Sequence, residues 1–253
     1  MLLAIDIGNT MTDFGLYGGM ETLYFRSKSN RDVTLEEAIA SSELFFKSKN
    51  IEPSKVTAAI ISSVVPSLTE IYLGLCRDFL HVEPRVLGPG LKSGLKIDTD
   101  NPKEVGGDMI AVSVGAKSRF GYPCIIADLG TATKLILLDD KGSFAGCTIG
   151  AGLGLQEKSL SSSAALLPEV SLQIPRKILG KNTADCMNSA LTYGNALMIR
   201  SLADALEKEA GYPCKRVLTG GFAAYVKGLL PEFEYAPSLV LDGLADIHKR
   251  NEK

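Results

Sequence analysis

The sequence predicts an α/β protein made of two domains of similar plan, and three observations carry that prediction. Leu2 to Asp6 is a short apolar strand that ends in an acid and runs into a Gly8-Asn9-Thr10 turn. Cys124 to Asp128 repeats the pattern and runs into Leu129-Gly130-Thr131-Ala132-Thr133. Each is followed by a meander of short β-rich pieces, and long helical stretches separate the strand groups. A chain of 253 residues has room for one large domain or two of ordinary size.

The elements follow in order. Phe14 to Tyr17 and Thr22 to Phe25 are β-rich and separated by Gly18-Gly19, as in a hairpin or meander. Thr34 with Glu37 three residues on has the form of a capping box, and Leu35, Ile39, Leu44 and Phe45 then mark one helical face. Val56 to Ile61 reads as a buried strand, Ser67 to Leu80 as a helix and Arg85 to Leu87 as a short strand. Gly88 to Pro102, rich in Gly and Pro, is a long loop or lid of the kind that usually has a function. A helix is expected from Lys103 or Glu104 to Ser118.

After Pro123 the plan restarts. Strands are expected at Cys124 to Asp128, Leu135 to Leu138 and Phe144 to Ile149, then helices at Gly152 to Ala165 and Asn182 to Ala210. Arg216 to Leu218 is a strand leading into Thr219-Gly220-Gly221, and Ser238 to Lys249 closes the chain as a helix.

Apolar residues at 45% and charged residues at 22% are the composition of a folded protein rather than a disordered one. A formal net charge of -2 gives no global basic field, so neither a nucleic acid nor an anionic membrane is expected as a partner. No run approaches the roughly 20 apolar residues of a membrane span, and no basic leader precedes the first strand. The five cysteines lack CxxC spacing, which argues against a zinc ribbon or a thioredoxin-like site. Cys124, Cys147 and Cys214 lie in apolar or Gly-rich runs and read as buried reduced thiols, and the cytoplasm is the expected location.

Acid-plus-glycine turns at strand ends admit two readings. Either is a plain β-turn, or it is a phosphate loop in which glycine lets several N–H groups approach an anion. In the second reading the side chains of Asn9, Thr10 and Thr12 add hydrogen bonds, and Asp6 holds Mg²⁺ through water. Duplication favours the phosphate reading. Asp108, after Gly106-Gly107, is equally a dipole-favoured acid in the first turn of a helix and a base for a substrate hydroxyl. Two glycines at a helix start cost roughly 1–2 kcal/mol together, which points to a close approach there.

Taken together the motifs resemble the type III pantothenate kinases, members of the acetate and sugar kinase–actin superfamily. The resemblance runs through Asp6-Ile7-Gly8-Asn9-Thr10, Ser62-Ser63-Val64-Val65-Pro66, Gly88-Pro89-Gly90, Asp100-Asn101-Pro102 and Glu104-Val105-Gly106. It continues through Asp128-Leu129-Gly130-Thr131-Ala132-Thr133, Gly180-Lys181-Asn182-Thr183, Thr219-Gly220-Gly221 and Leu241-Asp242-Gly243-Leu244.

The resemblance implies two ribonuclease H-like (actin-like ATPase) domains, 1–118 and 119–253, each a mixed five-stranded sheet flanked by helices. It implies ATP-dependent phosphorylation of pantothenate, the first step of coenzyme A synthesis. Asp6, Ile7, Gly8, Asn9, Thr10, Met11, Thr12 and Asp13 would bind the ATP phosphates, with Thr131 as a further nucleotide contact. Asp108 would accept the proton, and Thr99, Gly106, Gly107, Asp108, Met109 and Thr183 would meet pantothenate. Mg²⁺ would accompany ATP, Asp128 would hold a monovalent cation (K⁺ or NH₄⁺), and the active sites of a homodimer would lie at the subunit interface.

Six positions depart from the family pattern. Gly106-Gly107-Asp108-Met109 stands for Gly-Ala-Asp-Arg, Thr99 for a tyrosine, Leu129 for a phenylalanine, Lys134 for a threonine and Ala151 for a proline. Losing that arginine removes a charge-assisted bond worth roughly 1.5–3 kcal/mol, and Lys103 and Lys134 are the candidates to replace it. The departures on the substrate side leave two alternatives: another small hydroxyl acceptor, or a weakly active nucleotide-binding regulatory protein.

Overall fold

The computed structural model describes residues 1–19, 21–164 and 166–252. The chain forms two compact units, one of Met1–Leu95, Asn101–Ser118 and Ser238–Lys253, the other of Lys96–Asp100 and Arg119–Pro237. Each unit holds one five-stranded mixed sheet. The chain passes between the units at 95/96, 100/101, 118/119 and 237/238, so its last helix belongs to the first unit.

In the first unit, β1 (Leu2–Ile7), β2 (Met11–Tyr17) and β3 (Leu23–Lys28) form an antiparallel meander. β4 (Ala58–Ser63) and β5 (Arg85–Val86) add in parallel beside β1, giving the order β3-β2-β1-β4-β5. Side chains alternate along a strand, so Leu3, Ile5 and Ile7 fall on one face, packed with Phe14, Leu16 and Ile61. That face is covered by α1 (Leu35–Ser48) and α2 (Pro66–Gly74), whose Phe46, Leu68 and Tyr72 belong to the same core. The Thr34–Glu37 capping box is present in both directions. α2 runs on through a π turn at Leu75–Phe79.

The helix expected from Lys103 begins later. Pro102–Glu104 is a 3₁₀ turn, Val105 is extended, and α3 starts at Gly107 and ends at Phe120.

The second unit repeats the plan with β6 (Cys124–Leu129), β7 (Ala132–Leu138), β8 (Phe144–Ala151), β9 (Lys215–Thr219) and β10 (Glu234–Tyr235), ordered β10-β9-β6-β7-β8. Ile125, Ala127 and Leu129 share a core with Ala196, Ile199 and Ala203. These last three belong to α6 (Asn195–Ala210), the second half of a helical run that begins with α5 (Thr183–Ser189) and a π turn. α4 (Leu153–Ser163) precedes it and α7 (Ala223–Val226) follows β9. The expected end of the first of these helices at Ala165 lies outside the described residues.

All five cysteines are free thiols. Cys124 is buried as expected, whereas Cys147 is exposed and Cys214 only partly buried. Cys147 sits on β8, the edge strand, which pairs with β7 on one side and has no further strand of the sheet on the other.

The last helix, α8 (Leu239–Arg250), packs against β1, β2 and β4 of the first unit. Asp242 fastens it there, with one carboxylate oxygen accepting hydrogen bonds from Tyr17 and Tyr24, both 2.8 Å. Further along the same helix, His248 is buried and its Nδ1 accepts from the Arg85 guanidinium at 3.1 Å. Burial, then the Arg85 charge, hold the imidazole below its ordinary pKa, while Glu252 works the other way.

A histidine whose pKa is lowered by folding contributes stability above the unfolded pKa and loses it as pH falls through that range. The melting temperature is therefore expected to fall between about pH 7.5 and 5.5, and His248→Asn to flatten that fall. Thermal melts of both proteins across this range check it. An equal slope in the variant would assign the pH dependence elsewhere.

Candidate active site

β1 carries its acid to the carboxyl end of the sheet. By the two-residue alternation, Asp6 projects from the face opposite Leu3, Ile5 and Ile7. Register places it between Asp13 of β2 and Ser62 of β4. Asp13 is gripped by both ends of the Arg26 guanidinium, at 2.5 and 3.0 Å, which offsets the second negative charge.

The turn itself is a hairpin closed by the Gly8 N–H on the Met11 carbonyl at 3.0 Å, with Asn9 and Thr10 exposed at its tip. Ser29, just beyond β3, buttresses it. Its N–H donates to the Thr10 carbonyl at 3.0 Å and its hydroxyl to the Gly8 carbonyl at 2.6 Å. Thr12 is fully buried and hydrogen-bonded to that same Ser29 hydroxyl at 2.9 Å. Its hydroxyl is thus turned into the sheet, and the polar tip consists of Asn9 and Thr10. Arg31 donates to the Asn9 side-chain oxygen at 3.1 Å, bringing a cation to the loop.

The start of α3 lies beside this end of the sheet. A Cβ on Gly107 would stand 3.5 Å from the Ser62 hydroxyl, and Ser62 is the register neighbour of Asp6. The Ser62 hydroxyl is buried without a hydrogen-bond partner among the described residues, which leaves an open donor between the turn and α3. Asp108 occupies the first turn of α3, where its Oδ1 accepts from the Met109 N–H at 2.9 Å. A Cβ on Gly106 would come within 2.6 Å of that oxygen, so the glycine is what leaves room for the carboxylate. Gly106 precedes the helix and Gly107 is its first residue, so the glycines cost little helix stability. Met109 is buried and lines this corner as apolar wall, its methyl 3.7 Å from the position of a Gly106 Cβ.

Within the first unit, then, the structure brings together Asp6 to Asp13, Ser62 and Gly106 to Met109. The other expected site residues, Thr99, Asp128, Thr131 and Thr183, belong to the second unit. Thr99 has a buried hydroxyl with no partner among the described residues. Thr183 opens α5 and is exposed, next to Asn182, which caps the helix by accepting from the Asp185 N–H at 2.8 Å.

Asp128 is the penultimate residue of β6 as Asp6 is of β1, but the second hairpin is one residue shorter. Gly130 N–H donates to Ala132 at 3.1 Å, and the residue directly opposite Asp128 is Lys134. The Lys134 ammonium stands 3.1 Å from Asp128 Oδ2, with the two side chains only 13% and 9% exposed. Gly220, at φ 94°, lies against the other carboxylate oxygen, where a Cβ would come within 2.6 Å. The Asp128 carboxylate expected to hold K⁺ is thus engaged by a side-chain cation, and a K⁺ ion beside it would face the like charge of that ammonium. At Asp6 the situation differs. One carboxylate with Asp13 already neutralised suits an Mg²⁺ held mainly by water and phosphate oxygens.

Sequence reasoning named neither Ser29 nor Ser62 as a site residue. Ser62 belongs to the Ser62-Ser63-Val64-Val65-Pro66 motif, and only strand register shows that it neighbours Asp6.

Two mixed five-stranded sheets, each with an acid and a tight turn leaving the same strand, define an actin-like ATPase fold. (R)-2-Hydroxyglutaryl-CoA dehydratase component A from Acidaminococcus fermentans shares the fold at a TM-score of 0.57 and 15% identity, over 99% of each chain. The model of the type III pantothenate kinase family matches residues 2–205. A type III pantothenate kinase of Shouchella clausii (strain KSM-K16) is 36% identical over 256 residues, covering 100% of both chains. Another, from Halalkalibacterium halodurans, is 35% identical over 254 residues, covering 99% of this chain and 100% of that one. The chain belongs to the type III pantothenate kinase family.

Proposed function

We propose that this kinase transfers the γ-phosphoryl group of ATP to the primary hydroxyl of pantothenate, giving 4'-phosphopantothenate and ADP at the entry to coenzyme A synthesis. The observation that carries the reading is full-length likeness to type III pantothenate kinases, joined to a carboxylate, Asp108, in the first turn of α3 with Gly106 leaving room for its oxygen.

Roles follow the chemistry of each group. N–H groups of the Asn9 to Met11 part of the turn, with the Asn9 and Thr10 side chains, receive the phosphates, and by the family resemblance Thr131 is a nucleotide contact. Mg²⁺, when bound through water at Asp6, supplies charge neutralisation on the transferring phosphoryl group. Asp108 accepts the hydroxyl proton as the pantothenate oxygen bonds to phosphorus and the ADP oxygen leaves. Gly106, Gly107 and Met109 of the first unit, and by the family resemblance Thr99 and Thr183 of the second, are assigned to pantothenate. Where family members carry arginine, Met109 supplies apolar surface, so the acceptor's carboxylate is met by another group. Catalysis in such a site rests on positioning and electrostatics more than on covalent chemistry.

A cytoplasmic homodimer completes the reading. Free thiols are what a reducing compartment maintains. Among the described residues, no helix is long and apolar enough to cross a membrane. Leu197 and Met198 on α6 are 51% and 36% exposed, which suits a face covered by a second copy.

ADP release measured against a panel of small hydroxyl compounds tests the proposal. Pantothenate is expected to give the highest kcat/KM, and the protein to sediment at twice the chain mass. A better acceptor in the panel would replace pantothenate as the substrate. Absence of turnover in a protein that binds ATP would favour the regulatory reading.

A further inference from the structure

The two units hold an internal comparison. At matching places on β1 and β6 an acid stands one residue before the strand's end, and the residue facing it across the hairpin is Asp13 in one unit and Lys134 in the other. In the first unit the facing carboxylate is neutralised by Arg26 from β3. In the second, the facing residue is itself the cation, 3.1 Å from Asp128 Oδ2 and nearly closed to solvent. Removing the ammonium would strand a buried carboxylate, which is costly unless some other cation takes its place. Adding a free cation beside the ammonium would set two like charges together in a poorly screened site.

We propose that Lys134 is the resident counter-cation of Asp128, a tethered ammonium standing where the family resemblance places an exchangeable monovalent ion, so that phosphotransfer here needs neither K⁺ nor NH₄⁺. The chemistry is a close match, because the lysine head group is an alkylated ammonium ion carrying the same charge and able to donate three hydrogen bonds. Strand register holds it in place, since residues directly opposite on antiparallel strands share a face. The short turn fixes that register. In a hairpin as long as the first, the residue facing Asp128 would be the next one along, Leu135, and the charge would be lost. Gly220 serves the same arrangement by leaving room for the far carboxylate oxygen. As to role, Lys134 is a positioning residue: it holds the Asp128 carboxylate and the Gly130–Thr131 turn that follows it. The inference rests on the kinase reading for its activity measurement but not for its binding measurement.

The test compares the whole enzyme in K⁺, in NH₄⁺ and in tetramethylammonium, a cation too large for the site, with ATP supplied as its tetramethylammonium salt. For the native protein kcat/KM is expected to agree within about twofold in all three. Lys134→Thr is expected to lose about tenfold to a hundredfold in tetramethylammonium and to recover most of it in K⁺ or NH₄⁺. A parallel measurement needs no turnover: thallous ion, a K⁺ mimic seen by NMR, should bind saturably to Lys134→Thr with ATP present and not to the native protein. A native enzyme that slows about tenfold without K⁺, or that binds thallous ion saturably, overturns the proposal. If neither protein turns over in any salt, the kinase reading fails, and thallous binding still decides the role of Lys134. Should Lys134→Thr fail to fold, the native measurements in the three salts stand alone and decide it.

Discussion

Asp108→Asn is expected to lower kcat for pantothenate phosphorylation by about 10²–10⁴-fold, the usual worth of a positioned general base, while leaving ATP affinity close to native. The amide is nearly isosteric and keeps an oxygen to accept from the Met109 N–H, a bond of 2.9 Å in the native protein. It also fits the space that Gly106 leaves beside the carboxylate. What it loses is the ability to take up the acceptor's proton and the negative charge at the start of α3.

That charge has a structural value too, because an acid in the first turn of a helix is favoured by the helix dipole, by about 0.3–1 kcal/mol. The two roles are separable by magnitude. A purely structural Asp108 would cost a small shift in melting temperature and less than tenfold in rate at about 1.4 kcal/mol per decade. A catalytic one costs decades in kcat with the same small shift in stability. Steady-state kinetics beside a thermal melt distinguish them, and a variant with near-native kcat would move the proton acceptor elsewhere.

The parts of this molecule that were legible in its sequence are those set by local chemistry. Apolar runs ending in Asp6 and Asp128 marked the two central strands, the Thr34–Glu37 pair marked a helix start, and the glycine turns marked the hairpins. Each signal is complete within a few residues. The inward turn of Thr12 was also available, because Thr12 shares its parity along β2 with the buried Phe14 and Leu16.

What the sequence hid depends on how distant segments meet. The exposure of Cys147 follows from β8 being an edge strand, a matter of sheet order rather than of composition. Ser62 becomes a neighbour of Asp6 only through parallel pairing of strands more than fifty residues apart. The Asp128–Lys134 pair spans a single hairpin, yet one residue more in the turn would have set a different side chain opposite Asp128. Register, and hence the turn's length, decides which residues face each other.

The return of α8 to the first unit is the least local feature, and it leads to the largest stability effect. Gly243→Ala is expected to destabilise the protein by about 3 kcal/mol or more, at the upper end of overpacking costs. That corresponds to about 6–12 °C in melting temperature for a chain of this size. The reason is steric. A Cβ on Gly243 would overlap the Ala111 carbonyl oxygen of α3, and one on Gly115 would overlap the Leu239 carbonyl oxygen of α8. The two helices cross backbone to backbone, so no side chain can swing away to make room. Relief requires α3 and α8 to separate, which opens the layer beneath β1 and β4 and loosens the helix on which Asp108 stands.

A loss of kcat should therefore accompany the loss of stability even well below the melting point. Gly228→Ala is the control, because a Cβ there meets nothing within 4 Å. The same change of chemistry at that site should stay within about 0.5 kcal/mol of native. Equal melting temperatures for the Gly243 and Gly228 variants would mean that the α3–α8 crossing is looser than its geometry implies. A large difference between them would tie the chain's last helix to the stability of the site formed at its beginning.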